Sequence, residues 1–223
     1  MSQTARLLLS VPWRRIVPWV VIGVLASMAA VPSGKPSLAA EESKKVWAFE
    51  SDEPGKIAKG FTGAVGTWEV ELDGANHVLA QKAKNDDATF NVVLVDETQI
   101  KDLDLSVRLR AVAGETDQGG GVVWRAKDKD NYYIARYNPL EDNFRVYKVE
   151  RGKRTQFRSA KIPGDTKWHT LRLTMTGSRI TCYFDGMKYL EAEESTFPEA
   201  GRIGLWSKAD ARSYFDDLTV IEP

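Results

Sequence analysis

The chain has 223 residues, which is enough for one domain with a sizeable core after an N-terminal leader. It contains 31 basic and 31 acidic residues, and residues 1–40 hold four of the basic ones and no acidic one. The remainder therefore carries a small excess of negative charge. This balance argues against a nucleic-acid-binding protein, because such proteins normally present a basic surface.

Residues 1–40 predict a cleaved secretory signal peptide. Its basic residues come first, at Arg6, Arg14 and Arg15. The apolar run 16–31 that follows is shorter than the roughly 20 residues of a membrane span, so a cleaved signal is favoured over an uncleaved membrane anchor. Small residues at Ser37 and Ala39 suit cleavage before Ala40 or directly after it. We therefore expect a periplasmic or secreted protein whose mature form does not contact a membrane.

Residues 41–45 are expected to be a linker, and 46–223 to form one domain of short β-strands separated by turns. The clearest strand is 102–111, where apolar and polar residues alternate strictly, as a sheet with one buried face requires. Further strands are predicted at 68–72, 90–95, 121–126, 132–138, 144–149, 168–176, 178–185, 187–191, 202–206 and 214–221. About a dozen strands and no long amphipathic helix predict an all-β, two-sheet antiparallel jelly-roll sandwich.

Two local features of the strands carry further expectations. Phe215 and Leu218 both look like core residues, yet strict alternation cannot bury two residues three positions apart. A β-bulge near Asp216 and Asp217 would resolve the conflict. The only cysteine, Cys182, excludes an intramolecular disulfide and is expected to be a buried structural thiol.

Several motifs resemble concanavalin-like and laminin-G-like domains. They are W-H-T-L-R-L at 168–173, I-T-C-Y-F-D-G at 180–186, G-R-I-G-L-W at 201–206 and Y-F-D-D-L at 214–218. The middle of the chain, at 120–125, 131–133 and 136–140, is similar to exported bacterial proteins of the 3-keto-disaccharide hydrolase domain group. The resemblance implies a jelly-roll fold and either sugar binding or chemistry on 3-keto sugars. Proteins with this fold have many functions, so the resemblance does not discriminate between sugar binding and chemistry on 3-keto sugars.

A sugar-binding surface is the first candidate site, because aromatic rings beside planar hydrogen-bonding groups are what a sugar ring needs. The candidate ligand-binding residues are Trp124, Arg125, Tyr132, Arg136, Asn138, Arg145, Tyr147, Trp206, Lys208 and Asp210. The alternative is that the aromatic residues belong to the core and the arginines pair with acids such as Glu141 and Asp142. We expect the change Arg136→Ala to weaken sugar binding without unfolding the domain.

A structural calcium ion is the second candidate, because many jelly-roll modules hold one where the first and last strands meet. Glu50, Asp52, Asp216 and Asp217 could supply hard oxygen ligands there. The alternative is that these are solvated acids. No organic cofactor is expected.

Catalysis by paired carboxylates is the third candidate. The E-x-D-x-x-E motif of laminarinase-type relatives is absent, which argues against that mechanism. A mechanism in which a base acts on the carbon beside the ketone of a 3-keto sugar remains an alternative, and no residue is assigned as that base. The favoured hypothesis is an exported domain that binds a neutral oligo- or polysaccharide on a concave sheet. The alternatives are a glycoside hydrolase or lyase for 3-keto-disaccharides and a non-catalytic structural or adhesion module, and the oligomeric state is left open.

Overall fold

A computed structural model describes residues 43–223 of the chain. The predicted signal peptide and the first two linker residues lie outside the described residues. Within them the chain forms β-strands and no helix, so this part contains no helix capable of crossing a membrane. Two antiparallel sheets result, which confirms the all-β sandwich.

The described residues form fifteen strands. Their bounds are β1 Ser43–Trp47, β2 Phe61–Val65, β3 Trp68–Asp73, β4 Asn76–Gln81, β5 Phe90–Val95, β6 Leu103–Ala113, β7 Gly120–Asp128, β8 Asn131–Asn138, β9 Asn143–Glu150, β10 Lys153–Lys161, β11 Trp168–Thr176, β12 Arg179–Phe184, β13 Met187–Glu193, β14 Arg202–Lys208 and β15 Arg212–Glu222. The eight-stranded sheet has the order β13-β12-β11-β6-β15-β4-β3, with β1 paired to β15. The seven-stranded sheet has the order β10-β9-β8-β7-β14-β5-β2.

The main core lies between the two sheets. Strand β6 turns its leucines and Val107 inward, and β8 contributes Tyr133 and Tyr137 from the opposite sheet. Alternation along each strand places every second side chain in this layer, as the pleat of a strand requires. Cys182 is fully buried there, which confirms its structural assignment, and burial raises the pKa of its thiol.

The predicted bulge in β15 is confirmed. The register against β6 shifts between Asp216 and Thr219, and Asp217 has a φ of 49°. The extra residue restores the alternation, so both Phe215 and Leu218 are buried.

Four strands escaped the sequence prediction, namely β1, β2, β4 and β10. Strand β1 begins at Ser43, so three residues assigned to the linker pair with β15. Strands β1 and β10 are largely exposed and lack a clean apolar alternation, because each has a strand neighbour on one side only. Edge strands are held by backbone pairing more than by side-chain burial, which is why a hydrophobic pattern misses them.

The outer face of the seven-stranded sheet carries a second apolar cluster. Its buried members include Val92, Val123, Tyr132, Ile134 and Trp206, which have the opposite parity to the residues of the main core. Strands β7 and β8 are therefore buried on both faces, and they read as nearly continuous apolar runs. Polar residues at one end of this face form the candidate site.

Candidate functional site

Strand register places several predicted residues in one row on the outer face of the seven-stranded sheet. Trp206 of β14 is opposite Gly121 of β7, which is opposite Arg136 of β8, which in turn is opposite Arg145 of β9. Gly121 has no side chain, so the row has a gap between the indole and the guanidinium. A Cβ atom at Gly121 would lie 1.8 Å from the carbonyl oxygen of Ala135, so the backbone itself requires this gap.

A buried carboxylate organises the end of the row. Asp117, in the loop before β7, accepts hydrogen bonds from Arg136 Nη1 at 3.2 Å and from Asn138 Nδ2 at 3.0 Å. Lys208 Nζ lies 3.6 Å from the same carboxylate. The Asp117 and Arg136 side chains are only 3% and 1% exposed. Burial raises the pKa of Asp117, although the charges of Arg136 and Lys208 act in the opposite direction.

A second carboxylate joins the arginines at the rim of the site. Glu141 Oε2 accepts hydrogen bonds from Arg136 Nη2 and Arg145 Nη1, both at 2.8 Å, and from Asn143 Nδ2 at 2.9 Å. Burial alone would raise the pKa of Glu141. The bond from Asn143 and the charges of the arginines outweigh it, so the pKa is lowered. Its side chain remains 45% exposed, which leaves it open to a ligand.

Aromatic rings flank these charges. The Arg136 guanidinium carbon lies 5.9 Å from the ring centres of both Tyr147 and Trp206. The guanidinium carbon of Arg154, on edge strand β10, lies 4.7 Å from the ring of Tyr147 and 5.1 Å from the ring of Phe90. The rings of Tyr147 and Trp206 are buried, so their faces are occupied by the guanidinium groups, whose N–H edges remain for planar hydrogen bonding.

Two buried donors of this face, Arg136 Nε and Arg154 Nη1, have no hydrogen-bond partner among residues 43–223. Two further buried atoms, Tyr132 Oη and Trp206 Nε1, have no partner there except each other. Buried polar groups are normally paired, and each unpaired one costs about 1–3 kcal/mol. All four can donate a hydrogen bond, so the face is suited to a ligand that brings several acceptor oxygens. Burial also raises the pKa of the Tyr132 hydroxyl, which keeps it a donor.

Asp210 supports the site from behind. Its carboxylate accepts the backbone N–H groups of Glu115, Thr116 and Asp117 at 2.8 to 3.2 Å. Burial acts to raise the pKa of Asp210, but these three bonds outweigh it and lower the pKa. The side chain therefore holds the loop that carries Asp117.

Two predicted ligand residues lie away from this group. Trp124 is in the core between the sheets, where its indole N–H donates to Met175 Sδ. Arg125 has a φ of 47°, and its guanidinium donates to the carbonyl oxygens of Lys101, Phe197 and Gly177 and to Asp102. Both are explained by structural contacts.

The four predicted calcium ligands lie at the bulge within β15 and in the turn after β1. Asp216 Oδ2 accepts from Asn76 Nδ2 at 3.0 Å and from Arg108 Nη1 at 3.1 Å, and Asp217 lies 3.4 Å from the same arginine. A guanidinium thus pairs with two of the four carboxylates, and its positive charge opposes a calcium ion there. Residues 43–223 contain no group of three or more metal-ligating side chains, and neither Glu50 nor Asp52 completes one.

Sequence reasoning missed three members of the site. Asp117 lies outside any strand, Phe90 begins a strand assigned to the core, and Arg154 is on the unrecognised strand β10. The available signal was the glycine run at 119–121 shortly after Asp117, because consecutive glycines allow another backbone to come close. Glu141 was anticipated only as an ion-pair partner, which it is.

The chain is similar in sequence and fold to several known proteins. The chain is 27% identical over 197 residues to a levanase of Bacillus subtilis, a match that covers 82% of this chain and 25% of the levanase. It therefore spans about a quarter of that relative's length. A carbohydrate-binding module of family 66 from Bacillus subtilis matches with a TM-score of 0.64 and 23% identity, over 74% of this chain and 96% of the module.

Domain 4 of an extracellular arabinanase from Geobacillus stearothermophilus, solved with arabinotriose, matches with a TM-score of 0.52 and 13% identity. This match covers 80% of this chain and 93% of that domain. At these identities the structural matches establish the fold. A family model described as the 3-keto-alpha-glucoside-1,2-lyase-like domain matches residues 48–221. The chain belongs to the 3-keto-alpha-glucoside-1,2-lyase-like domain family.

Proposed function

We propose that this domain binds a carbohydrate on the outer face of the seven-stranded sheet. The observation that carries the proposal is the charged rim of this face, where the half-exposed Glu141 carboxylate bridges Arg136 and Arg145 beside the buried, unpartnered Nε of Arg136. The hydroxyl groups of a sugar both donate and accept hydrogen bonds, so they suit a row in which carboxylates and guanidinium groups alternate. The rings of Tyr147 and Trp206 are 4% and 1% exposed, so they support the arginines from below and do not contact the sugar.

Charge and preorganisation also favour binding. Asp117 and Glu141 offer acceptors to sugar hydroxyl groups, while Arg136 and Arg145 offer donors. Asp117 and Arg136 are held by each other and by Asn138, so little side-chain freedom is lost when a ligand arrives. The names of the similar proteins, a carbohydrate-binding module and two enzymes that act on polysaccharides, agree with a sugar ligand.

The first test is native mass spectrometry of the purified protein with neutral fructo-, arabino- and gluco-oligosaccharides and with 3-keto-disaccharides. We expect intact protein–sugar complexes without new products. Glu141→Gln should lower the affinity for sugar about tenfold, since a charge-assisted hydrogen bond contributes about 1.5–3 kcal/mol. Glu150→Gln, an exposed change on the same strand as Arg145, is the matched control and should change nothing. Equal affinity in both variants would remove the site assignment.

Catalysis on a 3-keto sugar is the second candidate, favoured by the family and by the raised pKa of Asp117. A carboxyl group with a raised pKa can act as a general acid or base. Both oxygens of Asp117 already accept hydrogen bonds from Arg136 and Asn138, which favours binding over proton transfer. Protein-dependent cleavage of a 3-keto-disaccharide that is lost in Asp117→Asn would make the lyase activity primary.

Export and calcium remain proposals. Export to the periplasm or medium is supported by the signal-like residues 1–40 and by the extracellular arabinanase among the similar proteins. N-terminal sequencing of the exported protein tests it, with a start near Ala40 as the expected result.

For the proposed calcium ion, an equal melting temperature with excess calcium and with a chelator would eliminate the ion. If the sugar panel gives neither complexes nor products, a structural or adhesion role is favoured.

A further inference from the structure

One cation of the site differs from the others in having no carboxylate partner. Arg136, Arg145 and Lys208 share three carboxylates, those of Asp87, Asp117 and Glu141. Arg154 is the fourth cation, and it makes no ion pair with any residue of 43–223. The carboxylates of Asp117 and Glu141 act on its charge only from beyond ion-pair distance, at a site where water is partly excluded.

Arg154 is held in place by rings. Its guanidinium carbon lies 4.7 Å from the ring centre of Tyr147, 5.1 Å from that of Phe90 and 5.7 Å from that of Trp206. Burial lowers the pKa of Arg154 and the charge of Arg136 acts in the same direction, whereas Tyr147 and the more distant carboxylates of Asp117 and Glu141 act to raise it. An unpaired cation in such surroundings is costly, since both desolvation and like charge oppose it.

The shape of the guanidinium defines what can bind there. The guanidinium carbon lies over the rings of Tyr147 and Phe90, and the hydrogen-bond donors of the group lie at its planar edge. One of them, Nη1, is buried and has no partner among the described residues. Two in-plane donors of a guanidinium match the two oxygens of a carboxylate, and this pairing is about twice as strong as one between neutral groups. A hydroxyl group offers a single acceptor and no charge.

We propose that the carbohydrate recognised by this domain carries a carboxylate, as a uronic acid residue does, and that Arg154 binds it in the plane of its guanidinium. The inference rests on the proposed function and goes beyond the neutral saccharide expected from sequence. The hydroxyl groups of the same sugar would meet Asp117, Glu141 and Arg136. The acidic group would supply the missing counterion and some of the missing acceptor oxygens.

A matched pair of ligands tests this directly. Oligogalacturonides and their methyl esters have the same backbone and differ in the charge of the carboxyl group. Titration calorimetry should show the acid binding at least about tenfold more tightly than the ester, a ratio that corresponds to about 1.4 kcal/mol. The preference should shrink as salt is raised from about 0.05 to about 0.5 M, because ions screen partly exposed charge pairs.

Variants of Arg154 test whether this residue is responsible for the preference for the acid. Arg154→Gln should abolish the preference for the acid, and Arg154→Lys should retain only part of it, because an ammonium group lacks the planar fork. Arg158→Gln is the control on the same strand. That arginine donates to the carbonyl oxygen of Glu191, away from the aromatic rings, and its loss should leave the preference intact.

Each outcome separates this inference from the function on which it rests. Binding of esters or neutral oligosaccharides without preference for the acid would overturn the carboxylate and leave carbohydrate binding standing. A preference for the acid that persists in Arg154→Gln would also overturn the assignment of the carboxylate to this arginine. Absence of binding to every acidic and neutral sugar would overturn both the inference and the proposed function.

Discussion

At the residue scale, the buried pair of Asp117 and Arg136 changes what a substitution can report. Arg136→Ala was expected to weaken binding without unfolding the domain, but its side chain is 1% exposed and bonded to a carboxylate that is 3% exposed. Removing one partner of a buried ion pair leaves the other charge uncompensated, at a cost of about 3–5 kcal/mol. Binding and stability would therefore fall together.

A double variant separates the two effects. Arg136→Ala alone should lower the free energy of unfolding by about 3–5 kcal/mol in a urea titration. Arg136→Met combined with Asp117→Leu should recover most of that loss, since no buried charge is left unpaired, yet should bind no sugar. Recovery of binding along with stability would show that the pair serves the fold alone.

The pH dependence of binding gives a second test of Asp117. Burial raises its pKa in the folded protein, so protonation should begin above the ordinary aspartate value of about 3.9 as pH falls. Sugar affinity measured from about pH 7 to about pH 4 should drop in that range. Because the folded pKa of Asp117 exceeds the unfolded one, its protonation favours the folded state, so the melting temperature should fall no more steeply with decreasing pH in the wild type than in Asp117→Asn. In Asp117→Asn the affinity should be low and independent of pH; a persistent drop would assign the titration to another group.

At the element scale, the loop between β6 and β7 carries Asp117 but contributes little apolar burial of its own. The Asp210 carboxylate fixes it through three backbone N–H groups, and Ser213 Oγ donates to the carbonyl oxygen of Gly119 at 2.6 Å. Strand β15 and the turn before it thus position the loop that connects the two sheets. We infer that loop order contributes to affinity.

Asp210→Asn should weaken sugar binding several-fold, because a neutral amide oxygen is a poorer acceptor for three N–H groups and the loop gains freedom. The matched control is Asp128→Asn, which alters a carboxylate that accepts the N–H of Asp130 at the other end of β7. Both variants should lose little stability, measured by thermal melting. Comparable losses of affinity in the two would refute a specific role for Asp210.

At the scale of the whole molecule, two cores are stacked on the seven-stranded sheet, the main one between the sheets and a smaller one on its outer face. The site uses only the outer layer. Leu105 lies in the main core and is fully buried, so Leu105→Ala should lower the free energy of unfolding by about 2–5 kcal/mol. Sugar affinity of the protein that remains folded should be unchanged. A large change in affinity would mean that core packing and the site are coupled.

Local periodicity was sufficient to predict the class of fold. Strict alternation in β6, the spacing of Phe215 and Leu218 and the parity of Cys182 are properties of neighbouring residues, and burial follows them directly. The bulge at Asp217 was predictable for the same reason, because alternation leaves no other way to bury both side chains. Edge strands β1 and β10 were not, since their exposed side chains carry no such pattern.

The sequence by itself also predicted that several residues of the candidate site share one face, since Tyr132, Arg136 and Asn138 have the same parity on one strand and Trp206 and Lys208 on another. Only the tertiary structure decided which set of alternating residues faces the main core and which faces outward. In it, Trp124 lies in the main core and Arg125 donates hydrogen bonds to carbonyl groups of loops. It also brought Asp117 and Arg154 to the site from a loop and an edge strand. The physical reason is that these contacts depend on which strands are neighbours, and strand order in an antiparallel sandwich is set by packing between distant segments.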